Sequence, residues 1–230
     1  MSVPAQSTPG LKKNELAGAV QTATKVRLNT FGSLEIRSNS GGPDKKWRRV
    51  FLRWDEEKTK YDDCLLNLEK CPAKFQQWRL AVERIKGLQG AEMLAAVNRE
   101  INYLVTYASD KQTSGQGDQW STPMETLSNA GDCEDYAILK YATLHELGVP
   151  EARMRIVIVM DKVRNVAHAV LAVRSGERID ILDNQRVAPE DHQNIKEYKP
   201  LYSVNRHGRW LNLKVRKRAK LLSKASQTSN

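Results

Sequence analysis

GDCEDYAILKYATLHELGVP, residues 131–150, sets a cysteine between two acids, two residues after a glycine, where a helical pattern begins. Apolar positions Ala137, Ile138, Tyr141 and Leu144 recur at threes and fours, and Gly148 with Pro150 ends the run. Asp132 suits the N-cap, and Asp135, three residues on, matches the acidic partner of a capping box. Cys133 then falls in the first turn, where free backbone N–H groups and the helix dipole favour a negative sulfur. Thiols at such positions have pKa values lowered by about one to several units. Asp132 and Glu134 oppose that effect, so either their side chains turn away from the sulfur or a cation neutralises them.

Beyond the helix the period changes to two. RMRIVIVM, VAHAVLAV and RIDILD are β-rich runs separated by the turns DKVRN and RSGE, and PLYSV with RWLNL flanks NRHG as a hairpin. A thiolate nucleophile needs a base and a group to orient that base, and the chain has four histidines. His145 lies on the cysteine's own helix, roughly 18 Å along its axis, too far to serve. His192 and His207 occupy polar, turn-like stretches typical of surface histidines. His168 sits inside an apolar strand, where an imidazole is costly unless a polar group meets it. Asp183 ends the next strand, with Asp180 as a rival on the same strand. If the helix start docks against that sheet face, Cys133, His168 and Asp183 come together.

Upstream, Trp47, Val50, Phe51 and Trp54 mark one helical face, and Phe75, Trp78, Val82 and Ile85 a second that ends before GLQG. A third spans AEMLAAVNREINYLVTYA, with Leu94, Val97, Ile101, Leu104, Val105 and Ala108 in register. Residues 109–123 read as a loop holding Trp120. Helices first and antiparallel strands second make an α+β fold. The expected organisation is a flexible lead over 1–30 and a single domain over 31–213, helical over 44–148 and sheet over 152–213. A basic tail covers 214–230, where six Lys or Arg stand with no acid. With a net charge of +10, that tail leaves about +4 for the rest (10 − 6). The tail reads as a solvated terminus; no zinc-finger spacing or RNA-binding aromatic motif accompanies it, so no nucleic-acid partner is expected. No apolar run reaches the length of a membrane span, and the first residues hold no visible signal peptide. Cys64 and Cys71 stand seven positions apart; in a straight helix their α-carbons would lie roughly 10 Å apart, too far for a disulfide. A turn between them allows the bond and implies an oxidising compartment.

GDCEDYAILKYATLHELG, AHAVLAV and LDNQ, in this order, resemble the bacterial transglutaminase-like cysteine proteinase family. FGSLEIRSN…KWRRV, AVNREIN, DQWSTPMETL and YSVN extend the resemblance over most of residues 31–212. It implies a papain-like, transglutaminase-like core: N-terminal helices and a cysteine helix packed on an antiparallel sheet. Cys133 would be the nucleophile, His168 the general base and later acid, and Asp183 the group orienting His168. The better-known branch is periplasmic and calcium-dependent, cleaves surface adhesins in biofilm dispersal, and answers to an inner-membrane regulatory receptor. By that likeness Asp132 and Glu134 would hold Ca²⁺, with carbonyls or Asp135 contributing, and the substrate would be a protein such as a large adhesin. The loop holding Trp120 would supply a second oxyanion donor. Two other functions stay open: amine transfer by a true transglutaminase, and a non-catalytic binding module on the same fold.

Overall fold

A computed structural model describes residues 27–38, 45–109 and 119–214, except for the side chains of 59–66 and 68. Of the expected flexible lead over 1–30, residues 1–26 lie outside that description, as do residues 215–230 of the expected basic tail over 214–230. Among the described residues, five helices come first around one early strand: β1 (Ser33–Arg37), α1 (Lys45–Leu66), α2 (Ala73–Ile85), α3 (Gly90–Leu104), α4 (Pro123–Ser128) and α5 (Cys133–Glu146). Six strands follow: β2 (Met154–Asp161), β3 (Val166–Ser175), β4 (Arg178–Leu182), β5 (Glu190–Asp191), β6 (Tyr198–Asn205) and β7 (Gly208–Lys214). They form one sheet in the order β1-β7-β6-β2-β3-β4-β5, every pairing antiparallel. The chain is thus α+β, helices packed on an antiparallel sheet.

The larger core lies between the helices and one sheet face, where Met154, Ile156, Leu171, Val173 and Val204 meet the stripes of α1, α2, α3 and α5. Trp47, Val50, Phe51 and Trp54 are all buried, as their spacing predicts. Burying each such side chain contributes about 1.5–3 kcal/mol. α5 is different: from Glu134 to Leu144 every residue is buried. It is enclosed by β2 and β3 on one side and by α3 and α4 on others. A helix surrounded on all sides has no solvent-facing side, so the residues between its apolar positions are buried as well.

The opposite sheet face carries a smaller core of Val157, Val159, Val170, Ala172, Ile179 and Ile181, covered by Leu28, Ile195 and Tyr198. Leu28 is fully buried, so the packed chain reaches back into the expected lead. Here Glu35, from FGSLEIR, takes hydrogen bonds from Leu28 N, Ser203 Oγ and Arg155 Nε. Arg155 lies over the Trp210 ring at 3.7 Å. With neither charge exposed, this ion pair must be held by such additional partners.

Three departures from the sequence reading matter for the site. α3 stops at Leu104 rather than running to Ala108, because Val105 is extended and the next residues have another partner. Ala108 N donates to Gly131 O at 3.0 Å and Gly131 N to Thr106 O at 3.1 Å, tying this segment to the chain just ahead of Cys133. Within the expected 109–123 loop, Thr122 caps α4 through a full capping box with Glu125. His192 is buried rather than a surface residue; its Nδ1 accepts the Phe31 N–H at 2.9 Å. Of the expected Cys64–Cys71 pair, Cys71 is disulfide-bonded and the Cys64 side chain lies outside the described residues. α1 ends at Leu66 and a 3₁₀ turn spans Leu68–Lys70, so the helix does not run between the two positions.

Candidate active site

Cys133 is the first residue of α5, and the loop ahead of it is strapped from two directions. Asp135 Oδ2 accepts the Asp132 N–H at 3.3 Å, and Asp135 Oδ1 accepts the Ser121 N–H at 2.7 Å. Gly131 is required by this close approach. A Cβ there would sit 2.6 Å from Asp135 Cβ and 2.7 Å from its Oδ2, with Asp135 itself buried. Asp135 therefore works as a strap between two loops.

β3 begins at Val166 but pairs with β4 only from Leu171 onward. On the stretch before Leu171 the Ala169 backbone N–H is a hydrogen-bond partner of the Cys133 sulfur. The helix start thus docks beside His168, whose Nε2 lies 2.9 Å from Asp183 Oδ1. Nδ1 is the ring nitrogen that Asp183 does not engage. Asp183 is fully buried and heavily partnered: Gln185 N donates to Oδ1 at 2.9 Å, and the Tyr198 hydroxyl donates to Oδ2 at 2.7 Å. Burial alone would raise the Asp183 carboxyl, but the bonds from His168, Gln185 and Tyr198 outweigh it and hold the pKa below the ordinary value. The hydroxyl of Tyr198 is pushed the other way, first by burial and then by the Asp183 charge. Asp180, the rival acid, is engaged by Arg178 Nε at 2.6 Å.

The thiol side is less favourable to charge. Cys133 Sγ donates to Glu134 Oε2 at 3.2 Å. Burial, then the Glu134 charge and this hydrogen bond, push the thiol well above its usual range, and the Ala169 N–H offsets only part of that. Glu134 is itself raised by burial, with Asp135 adding to the rise. Donor atoms of Asp132, Cys133 and Glu134 all lie within 4.8 Å of one another. Tyr107, largely exposed, borders the same group; burial and then the charges of Cys133, Asp132 and Glu134 raise its phenol.

The other histidines stand apart. His145, in the last turn of α5, meets the Trp54 ring edge-on, and His207 pairs with Glu151 at 3.0 Å. Trp120 is buried edge-on against Trp47, so its ring is core; no second oxyanion donor is identified among the described residues of its loop. Tyr198 was not visible in the sequence, because nothing marks a strand tyrosine as a partner of a carboxylate fifteen residues before it. The Ala169 amide was equally hidden, since backbone donors have no sequence signature.

A helix that begins at a cysteine, docked beside a buried His–Asp pair on an antiparallel sheet, fits a cysteine peptidase of the transglutaminase-like fold. Residues 60–218 match the model of the bacterial transglutaminase-like cysteine proteinases (BTLCP), and the chain belongs to that family. Among solved structures, Legionella pneumophila LapG is similar at 33% identity and TM-score 0.54, over 60% of this chain and 76% of that one. Calcium-bound LapG from the same organism gives 32% and 0.55, over 64% and 82%. The EGTA-treated form gives 26% and 0.54, over 74% and 87%. No curated protein sequence matches the chain.

Proposed function

We propose that Cys133, His168 and Asp183 act together as nucleophile, general base and orienting acid in the hydrolysis of a protein substrate. The observation that carries this reading is the Cys133 sulfur lying on the Ala169 amide, next to an imidazole already bound to Asp183. His168 takes the thiol proton, and the sulfur attacks a peptide carbonyl carbon. The resulting oxyanion lies at the start of α5, where the Cys133 N–H and the helix dipole stabilise it. His168 then gives the proton to the leaving amine, which departs as the C–N bond breaks. Water, deprotonated by His168, splits the thioester and frees the new carboxyl terminus. Asp183 stays ionised throughout and holds the imidazole in place.

Asp132 and Glu134 fit a hard divalent cation. They offer clustered carboxylate oxygens, and a cation there would favour the ionised form of Glu134, which burial disfavours. Ca²⁺ prefers these oxygens to the neighbouring sulfur, which leaves the thiol to His168. When bound, it supplies positive charge that cancels the repulsion between the two acids and the thiolate. Calcium-bound and EGTA-treated LapG structures support the reading. The disulfide-bonded Cys71 supports an oxidising, periplasmic setting. A surface adhesin as substrate, with control by an inner-membrane receptor, follows from the family resemblance.

The test compares surface and secreted proteins from cells carrying the native chain and Cys133→Ala, with mass analysis of the new termini. Fragments ending in free carboxyl groups only with the native chain support hydrolysis. Lysine-linked products would favour amine transfer, and identical protein sets would remove the catalytic reading.

A further inference from the structure

Asn98 and Asn102, both within AVNREIN, take no part in the mechanism above, yet both bond to the loop that begins with its orienting acid. Four residues apart on α3, they project from one face of the helix. Asn102 Nδ2 donates to Asp183 O at 3.0 Å and to Arg186 O at 3.1 Å. Asn98 Nδ2 donates to Arg186 O at 2.9 Å and to Val187 O at 3.3 Å. The chain needs such donors here. β4 ends at Leu182 and β5 starts at Glu190, so the carbonyls of residues 183–187 have no strand ladder to satisfy them.

Behind Asn98 lies Lys140, almost wholly buried, whose Nζ donates to Asn98 Oδ1 at 2.8 Å. With its oxygen occupied in this way, the Asn98 amide presents its NH₂ group to the loop carbonyls. Lys140 follows Cys133 by seven residues on α5, two turns down the same helix. A buried lysine with one hydrogen-bond acceptor costs stability that an apolar residue would not, so packing alone gives no reason for it. The run Lys140–Asn98–Asn102 therefore connects the helix that carries the nucleophile to the loop that begins with Asp183.

We infer that Asn98 and Asn102, braced by Lys140, are positioning residues that fix the Asp183 loop against the cysteine helix and so set the His168–Asp183 pair relative to the sulfur. The inference rests on the triad reading given above. Misplacing a reacting group by about 1 Å can cost on the order of 100-fold in rate, so a loosened loop should be felt at the sulfur.

The experiment measures alkylation of Cys133 by iodoacetamide at pH 7 and fixed calcium, in the full chain with its disulfide intact. Asn98→Asp keeps the size and the acceptor for Lys140 but removes the donor to Arg186 O and Val187 O. Asn102→Ala removes both donors to the loop. His168→Ala marks the loss of the base, and Val82→Ala, in the α2 core, controls for lowered stability. Asn98→Asp and Asn102→Ala are expected to slow alkylation about tenfold, and to weaken the His168 ring N–H proton signal in NMR. Val82→Ala should leave both unchanged. If His168→Ala slows the reaction and both asparagine variants match the native rate and signal, the positioning role is overturned. If His168→Ala alkylates at the native rate, the triad reading fails instead. Should Asn102→Ala not fold, Asn98→Asp decides alone.

Discussion

The two halves of the candidate site are built to different standards. On the sheet side, Asp183 collects hydrogen bonds from His168, Gln185 and Tyr198, and its charge is favoured despite burial. On the helix side, the thiol is buried, hydrogen-bonded to a carboxylate and pushed away from ionisation. One half is pre-organised by its own donors, and the other carries crowded negative charge. The contrast teaches that the His168–Asp183 pair is complete in the folded chain, whereas the Cys133 thiol is held back first by burial and then by the acids beside it. A cation on Asp132 and Glu134 would relieve the acids' share of that restraint without moving the pair.

The largest expected effect comes from the atoms that react. Cys133→Ala should abolish cleavage, a loss of about 1,000-fold or more, with the circular dichroism spectrum unchanged. Asp183→Asn should fall nearly as far, because the amide no longer supports the imidazolium; a loss below tenfold would show that catalysis depends less on the sheet side than its hydrogen bonds indicate. Calcium probes the helix side. At saturating Ca²⁺ the native chain should melt about 5 °C or more higher than in chelator, and Asp132→Asn with Glu134→Gln should erase the difference. A melting temperature indifferent to both would break the comparison at its weaker half.

A pH effect follows from Lys140. Burial lowers its pKa to about 7, with the Asp183 charge opposing the fall. Unfolded, the lysine keeps its ordinary value of about 10.4. Between those values the unfolded chain binds the extra proton, so this group makes stability rise with pH from about 7 to about 10.4. Below 7 both states are protonated and the penalty stays constant. Urea midpoints at pH 6.5 and pH 9 should show the gain in the native chain and not in Lys140→Met. The smallest effect is expected at Tyr198→Phe, where one of several bonds to Asp183 is lost at about 1 kcal/mol, roughly a fivefold fall in kcat. A fall of 100-fold would mean that the sheet side depends on that hydroxyl alone.

Much of this was legible in the residues. The shift from periods of three and four to a period of two separates helices from strands, and the DKVRN and RSGE turns do join antiparallel neighbours. His168 stood out because an imidazole in an apolar strand needs a partner, and the partner is Asp183. What stayed hidden depends on contacts distant in sequence. The α3 end could not be read from Leu104, Val105 and Ala108, since Gly131 competes for the backbone of residues 106–108. His192 reads as polar surface until Phe31 packs over it. The roles of Lys140 and the AVNREIN asparagines require knowing that α3, α5 and the 183–187 loop converge.

The most direct test of the assembled triad is covalent capture of Cys133 by a peptidyl electrophile that mimics an acyl substrate, followed by intact-mass analysis. The account predicts one adduct, on Cys133, formed at least tenfold more slowly in His168→Ala than in the native chain. Equal capture rates in the two proteins, or an adduct on another residue, would contradict it.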